Sequence, residues 1–287
     1  QLQLEIIDQL FESVEIVLKE IGNKEFDTAK HTYIMGILNV TPDSFSDGGK
    51  FNQIDAALKH AEEMIRDGAD VIDIGGESTR PWGYTKISDE EETGRVVPVI
   101  EAVKKEFGIP ISVDTYKSGV AEAAAQAGAD LINDIWGLKY DPEMAPVIAK
   151  YNAPCCLMHN KANTEYNNFI VDMLAETQEC VNIAKRAGIA DDKIILDPGV
   201  GFGKNYEMNL MTMDNLELFQ KLGYPVLLGT SRKSMIGLTL DLPVDQRVEG
   251  TLATTVIGIM KGCAFVRVHD IKENKRVIQM TEAILGR

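Results

Sequence analysis

Eight apolar runs, strung out between residues 33 and 270, each deliver polar residues at the same end. Asn39 follows YIMGIL, and Asp73 follows VI with Gly75–Arg80 straight after it. Asp114 ends PISVD, Asn133 and Asp134 follow LI, His159 ends PCCLMH and Asp197 ends IILD. Ser231, Arg232 and Lys233 follow PVLLGT, and Arg267 and His269 lie in FVRVHD. Parallel strands covered on both faces are near-continuous apolar runs. Chemistry placed always at the strand's C-terminal end is what a (β/α)8 barrel requires, because its active site is built at that mouth. The reading is therefore an α/β chain folded as a (β/α)8 TIM barrel, with strands near 33–40, 70–75, 110–114, 130–135, 154–159, 193–198, 225–230 and 264–269.

Helical stretches such as IDAALKHAEEMIRDG, EEETGRVVPVIEAVKKEFG, SGVAEAAAQAG, MLAETQECVNIAKRAG and MDNLELFQKLG alternate with the strands, and several stop at Gly. Ahead of them, Ile7, Leu10, Val14, Val17 and Ile21 are spaced three and four apart, which predicts an amphipathic helix over 4–21. Such a helix could pack on a partner subunit; the barrel's need for a closed N-terminal end favours capping. The division expected is an N-terminal helical extension, 1–30, and one catalytic barrel, 31–287, with no linker and no second domain. A chain of 287 residues suits one barrel.

Composition narrows the function. A net charge of −15 excludes a broad nucleic-acid or membrane surface but not an anionic small ligand. No run approaches the roughly 18 apolar residues of a membrane span. The start, QLQLEIIDQLF, has no basic flank, so it does not read as a signal peptide; it also lacks Met, which suggests a processed or partial chain. Cys155, Cys156, Cys180 and Cys263 show no CxxC spacing and read as buried thiols in a reducing cytoplasm.

At the mouth, Arg267 and His269 are two apart on a strand and so share a face, with Val266 and Val268 on the other. A lone inward Arg can be a structural ion pair, but Arg and His together both donate to oxyanions and suit a phosphate. Lys233 stands where a helix should begin, in a turn that offers N–H groups and a cation to an anion. Asp114, Asn133 and Asp197 come from three strands and would converge. Buried carboxylates without a paired cation are costly. A ligand edge rich in N–H donors, such as a 2-aminopyrimidinone, would satisfy them; a network among themselves and their neighbours is the alternative. NVTPDSFSDGGK and GGESTRP are long Gly-rich loops of the kind that move or bind. There is no Ser–His–Asp order or HExxH motif, and His159 has no evident partner, so nucleophilic catalysis is not indicated.

Taken together, MGILNVTPDSFSDGG (35–49), DIGGESTRP (73–81), SVDTYK (112–117), NDI (133–135), MH (158–159), DPGVGFGK (197–204), GTSRKS (229–234) and RVHD (267–270) resemble the dihydropteroate synthases. The resemblance implies a pterin-binding barrel that joins (7,8-dihydropterin-6-yl)methyl diphosphate to 4-aminobenzoate. It implies that Asp114, Asn133, Asp197, Lys233 and Met158 hold the pterin. Arg267, His269, Thr79 and Arg80 then hold the diphosphate, and Asn39 ligates a Mg²⁺ carried on it. Ser231, Phe202, Pro81 and Thr79 form the aminobenzoate slot. Asp114, Lys233, Arg267 and His269 carry the catalytic roles. It further implies a homodimer, a cytoplasmic enzyme and inhibition by sulfonamides. The family commonly has Gly after Pro81, so Trp82 reads as a one-residue insertion. Two other functions compete. A pterin-dependent methyltransferase would need neither the SRK turn nor the Arg–x–His of strand eight, and a non-catalytic pterin-binding paralogue would be expected to lose some matched polar residue.

Overall fold

The computed structural model describes residues 16–18, 20–41, 50–78 and 85–287. Eight parallel strands run in the order β6-β5-β4-β3-β2-β1-β8-β7. They are β1 (Tyr33–Asn39), β2 (Val71–Gly75), β3 (Ile111–Asp114), β4 (Leu131–Asp134), β5 (Cys155–Met158), β6 (Ile194–Asp197), β7 (Leu227–Leu228) and β8 (Phe265–Val268). A parallel bridge from Leu196 to Val226 joins β6 to the start of β7 and closes the barrel. The last two strands are β7, clipped to two residues, and β8; Pro225, which has no N–H to give a ladder, precedes β7 where the sequence suggested a strand over 225–230.

Helices cover the outside: α1 (Lys50–Asp67), α2 (Asp89–Glu106), α3 (Ser118–Ala127), α4 (Met144–Tyr151), α5 (Phe169–Arg186), α6 (Tyr206–Asp214), α7 (Ser234–Leu240), α8 (Val248–Met260) and α9 (Ile271–Leu285). Ser88, Asn168 and Asn205 cap α2, α5 and α6 by accepting from the N–H groups of Glu91, Val171 and Met208, which satisfies donors that a helix start leaves unpaired. The stretch MDNLELFQKLG is not one α-helix: α6 ends at Asp214 and Leu216–Leu222 is a 3-10 segment.

Strand alternation sorts the side chains into two cores. Ile34, Leu38, Ile72, Ile74, Val113, Ile132, Leu157, Leu196, Val266 and Val268 face the helices. Met35, Val71, Leu131, Cys156, Ile195, Leu227 and Phe265 fill the lower barrel interior. Leu18, Ile21 and Phe26 join that lower layer, so these three side chains plug the N-terminal end. Of the helix expected over 4–21, the described residues 16–18 and 20–21 are not helical. Residues 16–18 carry no regular structure, and Glu20–Ile21 pairs with Lys24–Glu25 as a hairpin around Gly22 at φ 59. Residues 4–15 and 19 of that expected helix lie outside the described residues.

Above the apolar layer the same alternation turns polar. Asp73, Ser112, Asp114, Asn133, Asp197 and Arg267 continue the inward faces of β2, β3, β4, β6 and β8. Asn133 and Asp134, adjacent in sequence, therefore part company. Asp134 faces outward and binds the backbone N–H groups of Trp136 and Leu138 at 2.8 and 2.7 Å.

Candidate functional site

The centre of the mouth is an ion pair. Arg267 donates from Nε to Asp73 Oδ2 at 2.6 Å and from one terminal nitrogen to Asp114 Oδ2 at 2.7 Å. Asn133 Nδ2 donates to the same Asp73 oxygen at 3.3 Å. The expectation of carboxylates without a cation is thus corrected for Asp114, whose partner is Arg267, 153 residues away. Asp73 is the residue the sequence did not assign. Three buried oxygens of this layer, Asp73 Oδ1, Ser112 Oγ and Asp114 Oδ1, have no hydrogen-bond partner among the described residues; such atoms normally find one. Burial, opposed by Arg267 and reinforced by Asp73, pushes the Asp114 carboxyl up to about 7. Burial also works against the Arg267 charge, yet Asp73 and Asp114 hold it above the usual arginine range.

Beside this pair lies a lysine and a carboxylate. Asp197 Oδ1 accepts from Gly199 N–H at 2.7 Å. A Cβ placed on Gly229 would stand 3.7 Å from Asp197 Oδ2, 3.8 Å from Lys233 Nζ and 4.0 Å from Arg267 Cβ, so the three groups surround one small space that a glycine leaves open. Lys233 is the residue before α7, as the sequence predicts. It donates to the Val200 carbonyl and lies 4.8 Å from the Phe202 ring centroid. Burial lowers Lys233 to about 8, with Asp197 acting against the shift. Met158, Ile135 and Tyr116 form a small apolar cluster with Trp136 and Phe202 packed on it, which supplies flat surface next to the polar groups.

Ser231 Oγ is 2.9 Å from His269 Nδ1 and accepts from the His269 N–H at 3.2 Å. The turn between Ser231 and Lys233 passes through Arg232 at φ 57, a conformation unusual for a side chain other than Gly. Arg232 grips Asp270 through two nitrogens, and Arg247 holds the Arg232 carbonyl at 2.9 Å. Arg232, which follows the seventh apolar run beside Ser231 and Lys233, serves to shape the turn. Asn39 reaches the rim and is exposed; the Cβ position of Gly75 lies 3.8 Å from Asn39 Oδ1 and 3.7 Å from Asp114 Oδ2. Thr79, Arg80, Pro81 and Trp82 lie outside the described residues.

Two networks support the mouth, and neither was legible as such. Lys117 donates to Glu77 at 2.7 Å, to Glu92 at 2.6 Å and to the Ile87 carbonyl at 2.8 Å, and Tyr116 donates to Glu77 at 2.5 Å. This ties α2 and the flanks of 79–84 to the residues that follow Asp114. The second corrects the view that His159 lacks a partner. Lys204 Nζ donates to His159 Nδ1 at 2.9 Å, and His159 Nε2 donates to Glu176 at 2.9 Å. Burial lowers His159 to about 4. The hydrogen bond from His159, with that from Lys161, lowers Glu176 to about 2.

These shifts set a pH response. His159 has a folded pKa below its free value, so the unfolded chain binds the extra proton first and stability is lost as pH falls from about 6.5 to 4. Glu176 is lowered too, so its contribution is lost as pH falls from about 4.5 to 2. Asp114 and Asp134, raised by burial, act in the opposite sense. The readout is therefore the difference between the parent and His159→Gln in thermal melts. The parent should lose more Tm than the variant between pH 6.5 and 4; parallel curves would show that His159 does not titrate on unfolding.

The family described as pterin binding enzyme matches residues 35–269. Dihydropteroate synthase of Clostridium beijerinckii is 66% identical over 269 residues, covering 93% of this chain and 100% of that one. Dihydropteroate synthase from Clostridium difficile, solved in the presence of pteroic acid, is 51% identical at a TM-score of 0.89, covering 91% of this chain and 100% of that one. The Yersinia pestis dihydropteroate synthase, solved with a sulfonamide drug complex, is 43% identical at a TM-score of 0.87, covering 93% and 99%.

Proposed function

The chain belongs to the pterin-binding enzymes and, within them, to the dihydropteroate synthases, transferases of folate biosynthesis; on that premise we propose how its own residues perform the synthesis. The substrates are (7,8-dihydropterin-6-yl)methyl diphosphate and 4-aminobenzoate, and the products 7,8-dihydropteroate and diphosphate. The observation that carries the reading is the Asp114–Arg267 pair beside Asp197 and Lys233. Asp197 accepts from the pterin 2-amino group and N3–H, Lys233 donates to the ring carbonyl, Asn133 completes the edge, and Met158 packs on the ring. Arg267 and His269 take the diphosphate, with Thr79 and Arg80 of the second loop.

The chemistry is a dissociative substitution at the methylene carbon. As the carbon–oxygen bond breaks, the methylene becomes positive and the diphosphate more negative. Asp114 and Arg267 are a preformed dipole of matching sense, which needs no reorganisation as charge separates. The electron-rich ring delocalises the cation, and the arylamine nitrogen then attacks the methylene and loses a proton. No covalent enzyme intermediate is required.

A Mg²⁺ would fit this donor set. The exposed Asn39 amide oxygen is a hard neutral ligand at the rim beside Asp114, and Mg²⁺ commonly keeps waters and phosphate oxygens while taking one or two protein ligands. When bound it would supply charge neutralisation at the leaving diphosphate.

Ser231, Phe202, Pro81 and Thr79 form the aminobenzoate slot. Sulfonamides should therefore inhibit competitively with 4-aminobenzoate; inhibition that excess 4-aminobenzoate does not relieve would place the drug elsewhere. The enzyme works as a cytoplasmic homodimer. The homodimer is supported by apolar side chains left exposed on α7, α8 and α9, among them Leu238, Met260, Met280 and Ile284; light scattering at a monomer mass would overturn it. Among the described residues no helix is long and apolar enough to cross a membrane.

The deciding assay is diphosphate release on mixing both substrates, with the parent and Lys233→Ala. A charged hydrogen bond in such a site contributes about 1.5–3 kcal/mol, so turnover should fall at least roughly tenfold. A variant within about threefold of the parent would remove Lys233 from the site.

A further inference from the structure

The loop that leaves β6 carries glycines at 199, 201 and 203, all at positive φ. Such a backbone has wide conformational freedom, yet it supplies both the Val200 carbonyl and the Phe202 ring that receive Lys233. Something must hold it. Gly199 presses so close to β5 that an added Cβ would lie 1.9 Å from the His159 carbonyl oxygen. On the inner side, Lys204 Nζ donates to the Gly199 carbonyl at 3.0 Å, the Phe202 carbonyl at 3.0 Å and His159 Nδ1 at 2.9 Å. An ammonium has three N–H donors, and all three are engaged. His159 is itself fixed by Glu176 on α5. Lys204 is 9% exposed.

We propose that Lys204 is a positioning residue of the pterin site, a buried amine that clamps residues 199–204 from the inner side so that they can seat Lys233 on the other. It acts through the loop. Two lysines thus grip one glycine-rich segment from opposite sides, one through carbonyls 199 and 202 and the other through carbonyl 200. Burial lowers Lys204 to about 7; Asp197 on β6 and Glu176 on α5 act against the shift, and Lys233 before α7 and Lys139 after β4 add to it. Burying a cation among these groups is costly, and a purely packing role could be filled by an uncharged side chain. The inference rests on Lys233 being the pterin donor.

The test is a double-mutant cycle read by titration calorimetry with 6-hydroxymethylpterin, on the parent, Lys204→Met, Lys233→Ala and the double variant. Lys204→Met should weaken the pterin about tenfold or more, and the double variant should bind within about twofold of Lys233→Ala alone, because sites that act as one unit are not additive. In steady state, KM for the pterin diphosphate should rise in Lys204→Met and rise no further when Lys233→Ala is added. Additive losses, or an unchanged pterin affinity in Lys204→Met, would overturn the proposal. Unchanged affinity in Lys233→Ala would sink the underlying pterin reading, and that result needs no Lys204 variant to be seen. Should Lys204→Met fail to fold, His159→Leu removes one of the three acceptors and enters the same cycle, with a smaller loss expected and additivity again overturning the idea.

Discussion

Replacing Arg267 with methionine should abolish turnover and cost the fold about 3–5 kcal/mol, the usual penalty for removing one partner of a buried ion pair. The guanidinium serves two carboxylates that have almost no contact with solvent, Asp73 and Asp114. Without it both stand in the barrel with no paired cation, and the Asp73 charge raises the proton affinity of Asp114. The two effects can be separated. Adding Asp73→Asn and Asp114→Asn to the methionine variant removes the stranded charges, so much of the stability should return while activity does not. Urea unfolding and diphosphate release supply the measurements. Parent-like stability in Arg267→Met would mean that the pair is no stronger than an exposed one.

The second large effect is expected from Asp197→Asn. One carboxylate oxygen is already committed to the Gly199 N–H, and the other borders the space shared with Lys233 and Arg267. An asparagine would keep its oxygen on Gly199 and turn its NH₂ toward the ligand. There a donor would meet the donors of the aminopyrimidinone edge. The cost of such a mismatch is about 1–3 kcal/mol, or roughly ten- to hundredfold in pterin affinity, with aminobenzoate affected much less. Calorimetric titration with a pterin decides it, and an unchanged affinity would mean that the ring is read elsewhere.

The barrel was legible because its strands announce themselves twice, by apolar runs and by polar ends. Where reading failed, the physics was non-local. Arg267 and Asp73 are 194 residues apart, and nothing in VIDIG distinguishes an aspartate that binds substrate from one that holds an arginine. His159 looked unpartnered because its contacts come from a lysine 45 residues on and a glutamate 17 residues on, in the following helix. The spacing of Val17 and Ile21 fits a helix, yet Ile21 enters the barrel from a hairpin. A plug needs apolar side chains at one end, whatever backbone presents them. Lys233 stood out in SRK by its place at a helix start, but that Arg232 shapes the turn is seen only in its positive φ and its grip on Asp270.

The closure of the barrel between β6 and β7 rests on a single bridge, Leu196 to Val226, with the Leu196 N–H on Pro225 at 2.9 Å. Elsewhere the strands share ladders of two to five paired residues. A cylinder with one thin seam opens there first, since local opening follows the places with fewest bonds. Asp197 ends the strand on one side of that seam, and Lys233 follows the strand on the other. A pterin held by both would lie across the gap like a suture, so occupancy of the pocket and integrity of the wall become one equilibrium. The amides flanking the seam would then exchange their hydrogens more slowly in the liganded enzyme, although no ligand atom touches them.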